Sequence, residues 1–507
     1  MAAIQYQKGW LDVLKMHDNI LEAADYLHEL GNRDYGTYMT HQHTMFEQIV
    51  DQIVEEIQAN SSRRKLVKDL PKLTESVTKL IRDTVGLRLS RSRSQWASIH
   101  KGKAHYKKSR YISKITYDIH IGRAYDSMIN LGYLNLVKKG ASTGIFGHFL
   151  TRYEATDKLV KLLGIQDYIT LSALLPTQDI EELIQVQEKR VIGKDDKGYD
   201  VKRNFLLEYE DNDVTKVMRS NTTKINNVLT RHWYDLEITN AEWHELLEQN
   251  LNEDSTNADH DPSINLANRT LYRIFNDIEF KTGGRFYGTW WQNVPSKYRS
   301  RIVIDGKRTK EYDFSGLHPN ILYAMGGLAF PDDPYDNLVK GVPRKVGKVA
   351  FNAMLNSPKE LMTLPDLTLS QYDVKWAALS AAIIERHKPI AHHFYTGIGK
   401  ELQKRDSDIA EDVMLHFAKL GVPVLPVHDS FVMHQGYEKE LQGVMGKAFR
   451  DRFGRDIGIK LESKMPHPSG DGEPVSMSMD DILNGVNGDC HQRLEVFRSE
   501  VSHVDKA

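Results

Sequence analysis

Glu311-Tyr312-Asp313-Phe314-Ser315-Gly316-Leu317-His318-Pro319-Asn320-Ile321-Leu322 decides the fold, read beside Val424-Leu425-Pro426-Val427-His428-Asp429-Ser430-Phe431-Val432-Met433. Each stretch sets one aspartate, Asp313 or Asp429, after a short apolar or β-prone run, where a strand ends or turns. An aspartate in that position is ordinarily a turn former or a helix cap, so neither stretch is decisive alone. Together they offer two strand-borne carboxylates that can meet in space and hold two divalent cations, as in-line nucleotidyl transfer requires.

The surroundings fit that geometry. Ile302-Val303-Ile304, the turn pair Asp305-Gly306 and Lys310–Phe314 predict a β-hairpin whose second strand delivers Asp313, with helix from Asn320. Val422–Val427 and Phe431–Met433 predict paired strands with His428-Asp429 in the tight turn between them. A helix over Glu438–Phe453 and a last strand over Ile457–Ser463 follow. Between the aspartates, Arg344 and Lys348 share one helix face, whereas Lys345 falls on another. Paired cations suit a bound triphosphate, although a merely solvated basic face has the same spelling.

The 507 residues suffice for roughly two to four domains, and 40% hydrophobic with 27% charged content is that of a globular chain. A net charge of −2 says nothing about nucleic acid; its local distribution does. A single cysteine, Cys490, excludes a disulfide framework and a multi-cysteine zinc site. The N-terminus lacks the layout of a signal peptide, and no apolar run approaches the ~20 residues of a membrane span. A cytoplasmic protein with no membrane partner is therefore expected.

Five segments are expected. Residues 1–87 carry helical apolar spacing, at Ile20, Leu21, Ala24, Leu27 and Leu30, then over about 40–58 and 73–85. Residues 88–165 open with a basic run: 88–114 hold nine Lys or Arg, Arg91, Arg93, Lys107 and Lys108 among them, no Asp or Glu, and interleaved Trp96, Tyr106 and Tyr111. Cations with aromatics suit phosphate neutralisation and base stacking. Ile115–Leu131 then reads as helix, Tyr133–Val137 as strand, 138–144 as basic turn, Ile145–Tyr153 as strand and Ala155–Leu163 as helix. That order resembles a winged helix-turn-helix, which would present Arg123, Tyr125 and Ser127 to a groove; a small packing or protein-docking module has the same order. Residues 166–280 read as a connector or thumb-like region, with a hairpin about 193–198 and a helix over Val214–Leu229. Residues 281–465 form the core, and 466–507 a polar tail.

Residues 281–463 resemble the palm and fingers of the right-hand polymerases, nearest to the superfamily of family A DNA polymerases and phage-type single-subunit RNA polymerases. Val427-His428-Asp429-Ser430-Phe431 is similar to motif C, with Ser430 where family A DNA polymerases usually carry glutamate. Arg344-x-x-x-Lys348 resembles motif B, and Asp313–Leu322 resembles motif A, also in its family B form. Gln403 to Asp408 resembles the helix before motif C, and Thr282-Gly283-Gly284-Arg285 the element that contacts the template duplex. Two features depart from the pattern. No Tyr-Gly pair lies near Asn356-Ser357, and Asn352 replaces the family A aromatic. The segments between motifs are short, so the fingers are reduced and nucleotide selection is affected more than chemistry.

The resemblance implies an α+β fold, with an antiparallel palm sheet, reduced helical fingers and a winged-helix-like N-terminal part. Asp313 and Asp429 would be metal ligands for two Mg²⁺, with Mn²⁺ an alternative. Arg344 and Lys348 would hold the triphosphate, Lys348 also serving as proton donor, and His318 would screen the sugar 2′ position and favour deoxynucleotides. Arg285, Gln403 and His428 would contact nucleic acid, as would Arg91, Arg93, Lys107, Lys108 and Arg123 in the N-terminal part. The expected partners are a DNA template and nucleoside triphosphates. A single-subunit RNA polymerase or primase, and a non-catalytic DNA-binding initiator with a relict palm, stay open as alternatives. Asp235-Leu236-Glu237 is set aside as an exonuclease start, His387, His392 and His393 as a zinc site, and Trp290-Trp291 is read as packing or base stacking.

Overall fold

A computed structural model describes residues 45–61, 70–90, 96–99, 109–111, 119–142, 148–149, 151–163, 180–194, 200–238, 242–243, 245–246, 264–331, 333–364, 369–464, 493–494 and 497–498. The helical spacing about Ile20–Leu30 and the basic positions Arg91, Arg93, Lys107 and Lys108 lie outside them. The chain is α+β, and its sheets are antiparallel apart from one parallel pairing.

The first unit runs α1 (Met45–Ala59), α2 (Leu70–Ser90), β1 (Ala97–Ile99), α3 (Ile119–Asn130), β2 (Leu134–Lys138), β3 (Ala141–Ser142), β4 (His148–Phe149), β5 (Thr151–Ala155) and α4 (Asp157–Leu162). Apolar residues at helical spacing account for α1, where Phe46, Ile49, Val50, Ile53, Val54 and Ile57 are all buried. Thr156 starts α4 by accepting from the Leu159 amide. β5 lies between β1 and β2, antiparallel to both. Tyr125, expected to face a groove, is instead 2% exposed and meets the Tyr153 ring edge-on at 5.2 Å. It shares the buried stripe of α3 with Ala124 and Met128, leaving Arg123 and Ser127 half-exposed.

Next come β6 (Ile184–Lys194), β7 (Asp200–Leu206), α5 (Asp213–Leu229), β8 (Tyr234–Leu236), β9 (Tyr272–Phe275) and β10 (Gly283–Tyr287). Asn212 and Thr215 close a reciprocal capping box at the start of α5. One sheet has the order β10-β9-β6-β7, with β6 parallel to β9. The basic run reaches this sheet. Arg110 donates to the Tyr209 carbonyl at 2.5 Å and Tyr111 to the Leu207 carbonyl at 2.6 Å. These two residues therefore serve a structural joint.

The core follows with α6 (Ser296–Arg299), β11 (Ile302–Ile304), β12 (Lys307–Phe314), α7 (Leu317–Met325), α8 (Arg344–Asn356), α9 (Trp376–Arg386), α10 (Gly399–Lys419), β13 (Leu425–Val427), β14 (Ser430–His434), α11 (Glu438–Phe453) and β15 (Ile459–Lys464). β12 is central: β14 pairs along one edge, while β11 and then β15 share the other. β13 extends the sheet beyond β14, and β8 extends it beyond β11. The β11–β12 loop is Asp305-Gly306, both with left-handed φ of 52° and 77°, as a two-residue hairpin demands.

Period-2 alternation gives β12 two unlike faces. On one, Phe314 meets Phe431 and the α11 residue Phe449, each at 6.4 Å between centroids. Phe431 and Phe449 are 0% exposed, and burying each ring contributes about 1.5–3 kcal/mol. The other face carries Glu311 and Asp313. Arg273, 0% exposed, pins β9 to α10 by pairing with Asp408 at 3.1 Å and Glu411 at 3.3 Å. The expected polar tail contributes to the core as well. Leu494 and Phe497 are buried, and Phe497 stacks on Trp233 at 5.4 Å.

Candidate active site

The site lies on the polar face of the central sheet. In the antiparallel register Asp313 opposes Ser430 on one side and Lys460 on the other. Asp429 immediately precedes Ser430, so the two aspartates sit at adjoining positions of neighbouring strands, whose paired Cα atoms are about 5 Å apart. The β13–β14 turn is only His428-Asp429, and His428 takes a left-handed φ of 59°, uncommon outside glycine. A conformation that costs on the order of 1 kcal/mol persists where its surroundings fix it.

Asp313 is 9% exposed. Burial, and then the negative charge of Asp429, push its carboxyl up to about 7, against the opposing pull of Lys460. Lys460 Nζ stands 3.3 Å from Asp313 Oδ2 and 2.6 Å from Glu462 Oε2. Asp313 Oδ1 is buried and accepts no hydrogen bond. A buried carboxylate oxygen without a donor is costly, and it is the feature a cation would relieve. Beneath it, Ser430 Oγ donates to Glu311 Oε1 at 2.6 Å, and Arg299 Nε lies 3.0 Å from Glu311 Oε2. Glu311, 1% exposed, thus braces the Asp429 turn from inside the sheet.

Helix α8 supplies the cations. Its buried side is Val346, Gly347, Ala350, Phe351, Met354 and Leu355, which leaves Arg344 and Lys348 exposed one turn apart. At Gly347 a Cβ would come within 2.6 Å of Leu338 Cδ1 and 2.8 Å of the Tyr335 carbonyl, so only glycine lets α8 settle there. Arg344 Nε is 2.6 Å from Asp333 Oδ2, and its guanidinium lies 5.1 Å over the Tyr335 ring. Burial drives the Tyr335 phenol well up; Arg344 opposes this, while Asp429, Asp333 and Asp313 add to it. Tyr335 thus senses both Arg344 and the sheet carboxylates.

A third element gathers on Asp406 of α10, which is 2% exposed. His318, in the first turn of α7, has Nε2 2.8 Å from Asp406 Oδ2. Arg285 places Nε 3.2 Å from both oxygens of the same carboxylate. Desolvation works against the Arg285 charge, but Asp406 and then Asp429 outweigh it and raise its pKa. Gly283 and Gly284, with φ of 77° and 79°, form the irregularity in the β9–β10 pairing that precedes Arg285. A Cβ on Gly284 would strike the Phe275 ring at 2.6 Å. Gln403 lies one turn before Asp406 and is half-buried.

The structure thus brings Asp313, Asp429, Arg285 and His318 together, with Arg344 on α8 against Asp333 and Tyr335. Lys348 shares that exposed face, and His428 occupies the turn. Arg123 lies half-exposed on α3, whose buried residues belong to the separate N-terminal core. Five further residues complete the site: Glu311, Asp333, Tyr335, Asp406 and Lys460. Two of them had a local signal, since Glu311 lies two residues before Asp313 on one strand face, and Asp406 lies on the Gln403 face of its helix. The others depend on loop geometry or strand register.

Residues set aside earlier have other partners. Asp235 is 1% exposed and takes two 2.6 Å bonds from Arg493. His387 is buried between the Pro334 carbonyl at 2.7 Å and the Tyr323 hydroxyl at 3.1 Å. Trp290 and Trp291 are buried, and the Trp291 indole faces the Pro426 carbonyl at 3.3 Å.

Among the described residues no group of three or more His, Cys, Asp or Glu side chains forms a metal cage. A Mg²⁺ site needs less, because that ion keeps several waters and is held by one or two carboxylates with substrate phosphates. Asp313 and Asp429 fit it, and the donor-free Asp313 Oδ1 is the observation that says so. No described helix is long and apolar enough to cross a membrane. No known protein family matches the chain, and no curated protein matches it significantly.

Proposed function

We propose that the chain is a template-directed nucleotidyltransferase, with residues 281–465 as palm and reduced fingers. The observation that carries this reading is the pairing of Asp313 with the Ser430 that follows Asp429, with one Asp313 oxygen buried and unpartnered. Bound Mg²⁺ would lower the pKa of an attacking 3′-hydroxyl and stabilise departing pyrophosphate. Asp313 and Asp429 hold that charge in place, and the Glu311–Ser430 bond fixes the turn they need. Arg344 exchanges Asp333 for a triphosphate oxygen, and Lys348 neutralises the same group and donates a proton to the leaving pyrophosphate. Asp406 orients His318 beside the sugar and Arg285 beside the duplex.

DNA is the favoured template and deoxynucleotides the favoured substrates, because a histidine at position 318 crowds a 2′-hydroxyl. In the N-terminal unit, the sheet order β1-β5-β2 with α3 directly before β2 supports a winged-helix module, in which Arg123 meets phosphate. A compact polymerase with its own DNA-binding unit suits a mobile element or an antiviral system.

The test is incorporation of labelled deoxy- and ribonucleotides on primed and unprimed templates, wild type beside Asp429→Asn. We expect synthesis from the wild type and a loss of at least about 10³-fold in the variant, as for removal of a principal charge-stabilising group. Ribonucleotide synthesis without a primer would shift the reading to an RNA polymerase or primase. DNA binding with no synthesis under any condition would leave a regulator with a relict palm.

A further inference from the structure

The strand pair β6–β7 leaves the body of the protein. Only Ile184–Val186 of β6 pair with β9; beyond them the two strands pair solely with each other. From Val186 to Lys194 this ribbon extends about 26 Å at the usual rise per residue. Nearly every described residue past Gln187 is exposed on both faces. A lone two-stranded ribbon is marginal in water, so something must hold its base. That is an ionic knot centred on buried Glu182: Arg219 lies 3.0 Å from Glu182 and 2.8 Å from Asp211, and Arg110 stacks 3.5 Å over Tyr209 while reaching both carboxylates at 3.4 Å. Among the described residues the arm is firmly rooted and otherwise uncovered.

Its two faces differ. On one, Arg190 lies opposite Arg203 and is tied to Glu188 at 2.7 Å. The other face carries Lys189, Val191, Lys202 and Leu206, with Asn204 opposite Lys189 and its one carboxylate, Asp200, at the far end opposite Lys194. Lys189 and Lys202 are diagonal neighbours, about 7–8 Å apart at the backbone, and neither has an ion pair among the described residues. Val191 and Leu206 are 53% and 50% exposed between and beside them. Apolar side chains set among unpaired cations match a nucleic acid, whose phosphates take the lysines and whose sugars and bases take the apolar surface. The same sheet carries Arg285 on its opposite edge strand, so the arm continues the surface on which the site would hold a duplex.

We propose that the β6–β7 ribbon is a nucleic-acid-binding arm that grips the phosphate backbone through Lys189 and Lys202 and seats Val191 and Leu206 against sugars and bases. The inference rests on the polymerase reading only for the location of the bound duplex; the binding itself is independent of synthesis.

Anisotropy of a labelled primer–template with the full chain, followed over a salt series, tests it. In K189Q/K202Q the affinity should fall about tenfold or more at low salt, and the slope of log K against log salt should shrink by about two. K189R/K202R should retain both. Val191→Thr, which keeps a β-branched chain, should weaken binding a few-fold with the slope unchanged. Thermal unfolding should be the same for all three, since every substitution is exposed. Wild-type affinity and slope in K189Q/K202Q would overturn the proposal. So would sedimentation showing that Val191→Thr turns a dimer into a monomer with DNA affinity intact, which makes the arm a subunit contact. A wild type that makes no product, while K189Q/K202Q still loses DNA, removes the polymerase reading and keeps the arm. Normal synthesis with unchanged binding in that variant does the reverse.

Discussion

Asp235 and Asp313 are buried aspartates on the same sheet, two strands apart, and the protein treats them oppositely. Asp235 receives both guanidinium bonds of Arg493 at 2.6 Å, the Trp233 indole at 2.9 Å and the Leu236 amide at 2.7 Å. Asp313 has one ammonium at 3.3 Å and an oxygen with no donor. A carboxylate needed only for packing is saturated by its own chain. One left short, beside a second carboxylate, is where an outside charge would complete the structure. Substitutions at the two positions should therefore move stability in opposite directions.

The largest effect is expected at the saturated site. Arg493→Met strands the Asp235 charge in the core, and should lower unfolding free energy by about 3–5 kcal/mol in urea denaturation. Replacing both partners, Asp235→Leu with Arg493→Met, should recover most of that loss, because the pair's stability lies mainly in not leaving one charge alone. A single variant within about 1 kcal/mol of wild type would remove the contrast, and with it the claim that Arg493, Leu494 and Phe497 are integral to the core.

At Asp313 the sign reverses. The folded state holds its proton to about 7, whereas the unfolded chain releases it near the ordinary 3.8. Over the interval between these values the folded form binds the extra proton, so stability falls as pH rises from about 4 to about 7 and then levels off. Asp313→Asn has no proton to lose. At pH 8 without divalent cation it should be more stable than wild type by about 2 kcal/mol, with the advantage gone near pH 4. Mg²⁺ should raise the melting temperature of the wild type and leave that of the variant nearly unmoved. A destabilised variant at pH 8 would mean that Asp313 is a structural residue like Asp235.

The same contrast marks how far the sequence could be read. Asp305-Gly306 announced its hairpin, and the alternation Glu311-Tyr312-Asp313-Phe314 contains the two faces of β12, because turn chemistry and period-2 patterning are local. The shared face of Arg344 and Lys348 on α8 was legible for the same reason. Lys460 was not: it reaches Asp313 through a pairing whose register slips near Glu311, and no local pattern encodes a slip between strands more than a hundred residues apart. The Arg493 pair was hidden likewise, since a short apolar motif in a polar tail gives no hint of the aspartate it will meet. Tyr125 misled because an aromatic in a basic, helical context reads as well for stacking as for packing, and the depth of the apolar stripe decided.

Asp406 is the intermediate case and gives the finest test. It is buried and satisfied, as Asp235 is, but its partners Arg285 and His318 come from elements that also border the Asp313–Asp429 pair. If it serves only packing, changing a partner alters stability alone. If it holds His318 where a sugar lies, His318→Ala should raise ribonucleotide use, lowering the ratio of kcat/KM for deoxy- over ribonucleotides about tenfold, or ~1.4 kcal/mol of discrimination. Asp406→Asn keeps a side chain of the same shape and one acceptor, so it should reproduce part of that loss. An unchanged sugar preference in His318→Ala would place the pair with Asp235 as structure and remove His318 from nucleotide selection.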